Sequence, residues 1–402
     1  MLQKSKDSNN AIITTLTNVR KHPNADRLKL ASIFGTQVIV GIDAEEGDIV
    51  IYFDSNLRLS PEYLRWNNLY SNKEMNLDTS QKGYFGKNGR VRAQKLRGEI
   101  SNGFVAPTHS LDYIEEVLVS EIVFNVGDEF THINGREICS KYIVPCSHSD
   151  YQGKSKKPSL FQSDMFHRHW DTKQLMREKD KIVPGVIYVE EKIHGTSGRV
   201  ANVLCHTGKK WWQFWKPIWV WKVVSGTRRV DLIQNSNHMC LERKEIEDKV
   251  ALHLHQGEQL YYEIFGHTKD GKEIQQGFSY GCAGGQYKTT LYRVTITTPD
   301  GFCIDLDRDQ VYRRAGELGL EKPILLSKIY FSGEDIEQLS DVIAALSKGK
   351  SSLDISTLRE GVVAWFTAFT GDWDCLKHKS EEFLIKESEL RDQEIGDVED
   401  NL

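Results

Sequence analysis

The chain has 402 residues, of which 39% are hydrophobic and 27% charged, the balance of a globular protein long enough for two or three domains. It contains no apolar run of about 18 residues, which argues against a membrane-spanning helix, and its first residues lack the apolar core of a signal peptide. Seven scattered cysteines form no Cys-x-x-Cys pair, which argues against a disulfide framework or a zinc site. We therefore expect a cytoplasmic protein.

The net charge of −5 is unevenly distributed along the chain. Residues 380–402 contain nine acidic and two basic residues, a net charge of −7, which leaves +2 for residues 1–379. A mildly basic body permits a phosphate-binding surface, although it does not require one.

The first third of the chain has the pattern of a small β-barrel. Residues 11–53 alternate short apolar runs with turn residues, strands resume at 90–107, and residues 125–145 close the region. We expect an OB-like module over residues 1–145. The polar, lysine-rich stretch that follows predicts a linker at 146–165.

The rest of the chain mixes strands and helices, which predicts an α+β domain around an antiparallel sheet at 166–390, followed by an acidic tail at 391–402. The predicted strands are 185–192, 197–205, 218–225, 259–266, 291–298 and 360–368. The predicted helices are 238–256, 308–319 and 333–349, with Gly319 as a C-terminal cap.

The stretch "VEEKIHGTSG" places Lys192 at the end of a predicted strand and just before Gly195. One interpretation is a surface strand that ends in solvated charges. The other is a strand that brings the lysine into a pocket as a nucleophile. Alone, the motif does not decide between them.

Four further blocks follow in the chain. They contain Arg228 and Arg229 in "SGTRRV", Glu263 in "YYEIFG", Glu360 in "LREGVVAWF", and the lysines 377 and 379 in "LKHKS". Because residues i and i+2 of a strand share one face, the last two lysines are expected to point into the same pocket.

Together these blocks resemble the motifs of the covalent nucleotidyltransferases, the superfamily of ligases and capping enzymes, and most closely those of ATP-dependent RNA ligases. "EKIHGTS" is similar to motif I, "YYEIFG" to motif III, "LYRVTI" to motif IIIa, "REGVV" to motif IV and "LKHKS" to motif V. "HPNADRL" and "KLRGEISNGFVAP" resemble the two-domain RNA ligases typified by the Deinococcus enzyme, in which an OB module precedes the transferase domain. The resemblance covers about residues 11–390.

The resemblance implies a role for each site residue. Lys192 takes up AMP, while Lys377, Lys379 and Glu360 complete the catalytic set. The nucleotide is held by Glu191 through its backbone beside adenine, by Glu263 on the ribose, by Tyr292 as a stacking ring, and by Gly195 and Lys377. Arg228 or Arg229 holds the 5′-phosphate of the strand to be joined. Glu360 and Glu263 are the expected ligands of Mg²⁺ or Mn²⁺.

The implied function is an ATP-dependent RNA ligase that seals 3′-hydroxyl and 5′-phosphate ends through lysyl-AMP and an adenylylated 5′ end, in RNA repair. Its expected partners are RNA or RNA-containing nicked or broken strands, with no membrane and no obligate protein partner. The alternatives are a DNA ligase or capping-type nucleotidyltransferase, and a non-catalytic nucleic-acid-binding protein with the same fold.

Several features of the sequence have a structural as well as a functional interpretation. A basic run in the OB-like module is either part of a nucleic-acid groove or a solvated strand edge; it comprises Lys87, Arg90, Arg92, Lys95 and Arg97. His22 and Asp26 are more typical of turn residues than of ligands. His194 is either a ligand contact or a local hydrogen-bonding residue. The tryptophan-rich stretch Lys209–Val224 is either a lipid-facing or base-stacking element or a hairpin whose arm Ile218–Val224 packs on the core.

Overall fold

The structure is a computed structural model that describes residues 1–5, 9–114, 123–144, 161–169, 171–207, 219–228, 231–232 and 241–393. It divides into two compact units. The first is Met1–Val144 together with Glu381–Gln393, and the second ends at Ser380. The chain from 381 to 390 therefore groups with the first unit, whereas the sequence pattern had assigned it to the second. Residues 146–160 of the predicted linker at 146–165, and residues 394–402 of the predicted tail at 391–402, lie outside the described residues.

The first unit is built from short antiparallel strands, as the sequence pattern predicted. They are β1 (Leu2–Gln3), β2 (Ala11–Thr15), β3 (Thr17–Lys21), β4 (Leu28–Ile33), β5 (Thr36–Gly41), β6 (Ile49–Phe53), β7 (Leu57–Leu59), β8 (Ala93–Leu96), β9 (Glu99–Asn102), β10 (Phe104–Pro107), β11 (Glu129–Phe130), β12 (His132–Ile133), β13 (Arg136–Glu137) and β14 (Cys139–Lys141). The helix α1 (Pro61–Trp66) and the 3₁₀ turns Lys73–Met75 and Thr108–Leu111 lie between them.

The largest sheet of this unit has the order β10-β6-β2-β11, and β3-β4-β5 form a three-stranded meander. Alternating apolar residues of these strands fill the core, where Ile13, Phe53, Tyr63 and Phe130 are fully buried. The prediction of an OB-like barrel is confirmed.

His22 is a turn residue in this unit. It is fully buried, its Nδ1 accepts a hydrogen bond from the backbone N–H of Asn24 at 3.0 Å, and its Nε2 lies 3.3 Å from the carbonyl oxygen of Leu96. These contacts tie the β3–β4 turn to β8.

The basic run is not one continuous surface. Lys87, Lys95 and Arg97 are exposed, but Arg90 is buried and contacts the C-terminal helix Glu381–Asp392. Its Nη1 donates to Asp392 Oδ1 at 2.6 Å and its Nη2 to the carbonyl oxygen of Ser388 at 2.9 Å. Arg90 therefore lies neither on a solvated strand edge nor in an open nucleic-acid groove. Its side chain anchors the C-terminal helix.

The second unit contains the nucleotidyltransferase-like motifs. Its strands are β15 (Phe161–Gln162), β16 (Lys173–Gln174), β17 (Gly185–Lys192), β18 (Thr196–Thr207), β19 (Trp219–Thr227), β20 (Asp231–Leu232), β21 (Glu258–Gly266), β22 (Tyr287–Thr297), β23 (Cys303–Asp305), β24 (Leu325–Phe331), β25 (Gly361–Thr367) and β26 (Trp373–Lys379). Its helices are α2 (Leu175–Glu178), α3 (Leu241–Val250), α4 (Arg308–Glu317) and α5 (Ile336–Leu346), with a 3₁₀ turn at Lys179–Lys181; the chain then continues into α6 (Glu381–Asp392) of the first unit.

Two sheets form this α+β unit, as predicted. One has the order β20-β19-β18-β21-β22-β23, with β15 paired to β18, and α3 and α4 pack on it. The other has the order β16-β26-β25-β17-β24, and α5 packs on one of its faces. Asp307 and Gln310 form a capping box at the start of α4, and Gly319 follows its C-cap with a φ of 63°, as expected for a glycine cap.

Each predicted strand and helix of this unit has a counterpart in the structure. The strand β24, the helix α6 and the short elements β15, β16, β20, β23 and α2 were not predicted. In the tryptophan-rich stretch, Trp219–Thr227 pairs with β18. Trp211, Trp212 and Trp215 lie outside the described residues. None of the helices in the described ranges is long and apolar enough to cross a membrane.

Replacing Arg90 with methionine should destabilise the first unit. The variant keeps the side-chain volume but removes the charged hydrogen bonds to α6, whose loss we expect to cost about 2–3 kcal/mol. Urea unfolding followed by circular dichroism measures the change. Lys87→Met, at an exposed position, is the matched control, and an equal effect of both substitutions would contradict the anchoring role.

Candidate active site

Strand pairing places the lysines of the first and the last sequence motif close together. Lys192 on β17 pairs with Gly361 on β25, and Gly361 pairs with Lys379 on β26. Two residues along each strand, Glu190 pairs with Val363, which pairs with Lys377. Because alternate residues share a face, Lys192, Lys377 and Lys379 lie on the same face of the five-stranded sheet.

Gly361 leaves the room that this arrangement needs. A Cβ at this position would lie 2.1 Å from the carbonyl oxygen of His378, so a larger residue would push β25 away from β26. Gly195 is constrained in the same way, because its Cβ would lie 2.2 Å from the carbonyl oxygen of Ile264 on β21. Glycine at 195 thus permits close packing of neighbouring backbone; its approach to a nucleotide remains a prediction.

Glu360 is the centre of the charged cluster. Its side chain is 1% exposed, and Oε2 accepts a hydrogen bond from Lys192 Nζ at 2.8 Å. Lys379 Nζ lies 3.4 Å from Oε1, and His194 Nδ1 lies 3.9 Å from Oε2. Burial alone would raise the pKa of Glu360, but the charges of Lys192, Lys379 and His194 outweigh it and lower the pKa to about 2. The carboxylate is therefore ionised at neutral pH.

Lys377 is a partly buried lysine among other cations. Burial, with the charges of Lys379, Lys192 and Arg228, lowers its pKa to about 8, while Asp171 acts in the opposite direction. Near neutral pH this group titrates readily, and an added anion would stabilise its charged form.

Glu263 faces the chain that follows Lys192. Its Oε1 accepts a hydrogen bond from the backbone N–H of Gly195 at 3.1 Å, and its Oε2 accepts one from Ser197 Oγ at 2.9 Å. His194 is held by its own backbone N–H, which donates to the hydroxyl of Tyr280 at 2.8 Å, and its ring contacts Phe278 edge-on. These contacts fix the segment that connects β17 and β18.

A cleft in the second unit brings together the predicted site residues that the structure describes. It is concave and partly open to solvent, as sites for small-molecule ligands commonly are. Its lining includes Glu191, Lys192, Gly195, Arg228, Glu263, Tyr292, Glu360, Lys377 and Lys379. Arg229 lies outside the described residues. Arg228 forms an ion pair with Asp171.

The sequence analysis missed a second buried pair beside the cleft. Arg308, the first residue of α4, contacts both carboxylate oxygens of Glu190, and its Nη1 donates to the carbonyl oxygen of Tyr292 at 2.7 Å. Burial raises the pKa of Glu190 although Arg308 opposes it. The pair connects β17 to β22 and so fixes the backbone that carries Tyr292. Its only sequence signal was a charged residue in an otherwise apolar strand.

The carboxylate of Glu191 points away from the lysines. Glu191 pairs with Val362, a core residue on the opposite face of the sheet, and its Oε2 accepts a hydrogen bond from the backbone N–H of Ser352 at 2.9 Å. Contact with a base through the backbone of Glu191 is compatible with this orientation.

The donor set can accommodate a divalent cation only together with substrate oxygens. Within the described ranges, no group of three or more His, Cys, Asp or Glu side chains is arranged to hold a metal ion. Mg²⁺ in phosphate-transfer sites is commonly held by one or two carboxylates together with the substrate phosphates. Ionised Glu360, with Glu263 in the same cleft, fits that type of site.

Comparison with known proteins supports the fold of both units. A family model described as an OB-fold domain matches residues 10–108. No curated protein sequence matches the chain.

Solved structures of an RNA ligase from Naegleria gruberi align with almost the whole chain. The structure with PPi is 20% identical, with a TM-score of 0.61, and the alignment covers 95% of this chain and 100% of that one. A glutamate-to-alanine variant with ATP and Mn is 18% identical, with a TM-score of 0.61 and coverage of 94% and 98%. A lysine-to-methionine variant with AMP and Mn is 17% identical, with a TM-score of 0.58 and the same coverage. The chain therefore has the fold of these ligases: an OB-fold domain followed by a sheet-rich α+β domain.

Replacing Lys377 with methionine should stabilise the protein at pH 7. An unfolded lysine titrates near 10.5 and the folded one near 8, so between these values the unfolded chain binds the extra proton and wild-type stability rises with pH. The stabilisation by methionine should therefore be largest below pH 8 and shrink toward pH 10.5. Urea unfolding at several pH values measures it, with the exposed Lys322→Met as control. A destabilised variant at pH 7 would contradict the charge repulsion described above.

Proposed function

We propose that this protein is an ATP-dependent RNA ligase that joins a 3′-hydroxyl to a 5′-phosphate. The observation that carries the proposal is the cluster in which Lys192, paired to buried Glu360 at 2.8 Å, shares one cleft with Lys377 and Lys379. A solvated strand end, the alternative for Lys192, does not account for this burial and convergence. The likeness in fold to an RNA ligase supports the same reaction class.

In the first step, Lys192 attacks the α-phosphorus of ATP. The Nζ–P bond forms, the bond to the β-phosphate oxygen breaks and pyrophosphate leaves, so Lys192 must first lose a proton. Glu360 stabilises the protonated amine in the resting cluster. Glu360 and Glu263 would hold Mg²⁺ or Mn²⁺, which would supply positive charge that neutralises the phosphates. Lys377 and Lys379 add cations that favour the neutral amine and stabilise the developing phosphate charge.

In the second step, an oxygen of the RNA 5′-phosphate attacks the same phosphorus, the N–P bond breaks and Lys192 takes back a proton. In the third step, the RNA 3′-hydroxyl attacks the activated 5′-phosphorus, AMP leaves and the hydroxyl proton is released.

Glu263 is proposed to accept hydrogen bonds from the ribose hydroxyls, Tyr292 to stack on adenine and the backbone at Glu191 to border the base. Arg228 or Arg229 is proposed to hold the 5′-phosphate, since a guanidinium matches its oxygens.

The first unit is proposed to contact the polynucleotide, as OB folds do in other proteins. RNA or RNA-containing broken strands are its proposed partners, the cytoplasm its proposed location and RNA repair its proposed process. We propose domain limits of 1–145 for this module and 166–390 for the transferase, modified by the assignment of α6 to the first unit.

The first test is covalent labelling of the polypeptide. Purified protein incubated with α-³²P-ATP and Mn²⁺ or Mg²⁺ should retain label after denaturation, and Lys192→Ala should abolish it. The label should resist alkali and be released by acid, as expected for a bond between phosphorus and a lysine nitrogen. Label from ATP but not from α-³²P-GTP separates a ligase from a GTP-using capping enzyme. The exposed Lys272→Ala is the matched control. Absence of label from folded, AMP-free wild type would contradict the proposal and favour a binding protein.

Arg228→Ala should separate the first step from the second. The arginine is proposed to contact the RNA phosphate, so loss of its charged hydrogen bonds should slow AMP transfer to 5′-phosphorylated RNA by about 10- to 100-fold. Self-labelling with ATP should change by less than about threefold. Gel analysis of the adenylylated RNA in single-turnover reactions measures both rates. An equal loss in the two steps would remove Arg228 from the RNA phosphate site and leave Arg229 as the candidate.

A further inference from the structure

An ion pair on the back of the five-stranded sheet joins the direct sequence neighbours of Lys192 and Glu360. Glu191 precedes Lys192, and Arg359 precedes Glu360. Glu191 Oε2 lies 3.5 Å from Arg359 Nε, and the two side chains are 0% and 13% exposed. A charge pair this deeply buried is costly unless its geometry is well supported.

The surrounding contacts supply most of that support, although Glu191 Oε1 and Arg359 Nε have no hydrogen-bond partner among the described residues. Arg359 Nη1 donates to the carbonyl oxygen of Leu346, the last residue of α5, at 2.8 Å, where a cation is favoured by the helix dipole. Its Nη2 donates to Ser352 Oγ at 3.1 Å, and the backbone N–H of Ser352 donates to Glu191. The backbone N–H of Arg359 donates to the carbonyl oxygen of Gly349 at 3.0 Å. Arg359 thus connects β17, the end of α5 and the chain leading into β25.

The position of the pair matters because β17 loses regular support where Lys192 begins. Its ladder with β24 shifts register after Val189 and ends at Glu190. The backbone N–H of Glu191 still donates to the carbonyl oxygen of Ile324 at 2.9 Å, but Lys192 itself pairs only with Gly361 of β25. Glu360 is better held, since its carbonyl oxygen accepts from the backbone N–H of Ser380 at 2.9 Å. Release of the back-side pair would therefore displace Lys192 more than Glu360.

We propose that the Glu191–Arg359 pair is a positioning device that holds Lys192 against Glu360 from the opposite face of the sheet. Neither side chain reacts. Their effect is on the steps in which Lys192 forms or breaks a bond, so this inference rests on the proposed function and assigns two further residues to it. Loss of alignment by about 1 Å at a reacting group costs on the order of 100-fold in rate.

The test compares two reactions of the full-length protein. Glu191→Gln, Arg359→Met and the double variant are assayed for single-turnover self-labelling at saturating ATP and for sealing of a pre-adenylylated RNA without ATP, a reaction in which Lys192 exchanges no bond. We expect self-labelling to fall about 10- to 100-fold and sealing to fall less than about threefold. The double variant should match the worse single variant, because the residues act as a unit.

Controls separate positioning from simple stability. Arg314→Met removes another largely buried pair of this unit, with Glu258 at 2.7 Å, and should lower both reactions equally or neither. Arg359→Lys keeps the positive charge but loses the forked guanidinium, and it replaces Arg359→Met if that variant does not fold. It should also lower self-labelling more than sealing, but by a smaller factor. Equal losses in labelling and sealing, or additive effects in the double variant, would overturn the inference. Wild type that fails to label would instead overturn the proposed function.

Discussion

The second unit depends on one buried carboxylate that stays ionised. Glu360 lies in a place where burial opposes charge, yet Lys192 and Lys379 contact its two oxygens and lower its pKa to about 2. A buried charge persists only when partners and hydrogen bonds compensate for lost water. Here the compensation comes from strand register, which sets Lys192, Gly361 and Lys379 in one row. The charge balance of the cleft therefore depends on the same strand register that defines the fold.

Lys377 is in the opposite situation, because it lies among groups of its own charge. Glu360 is already shared by two lysines, and Lys377 is partly buried beside cations that lower its pKa to about 8. A phosphate in the cleft would relieve that repulsion and raise the pKa of Lys377 again, so anion binding and proton uptake are coupled at this site. A cleft with this repulsion between cations is suited to bind an anion, as the proposed function requires.

The strands and much of the candidate site could be predicted because local pattern determines them. β17 and β21 are apolar and β-branched or aromatic, so single carboxylates such as Glu263 stand out, and i, i+2 spacing places Lys377 beside Lys379. Long-range partners could not be predicted. Arg90 looked like one member of a basic run because its partner, Asp392, is about 300 residues away. Helix α6 was missed because its many charges mask a weak apolar face.

Strand alternation explains why the sequence around each motif is as constrained as the motif itself. Along β17, Glu190 and Lys192 face the cleft while Glu191 faces α5; along β26, Lys377 and Lys379 face the cleft while His378 does not. Burial and the charge of Lys348 lower the pKa of His378 to about 4, so it is neutral where the adjoining lysines are charged. Each face thus has its own charge balance, and a one-residue shift in the register of either strand would exchange the two faces.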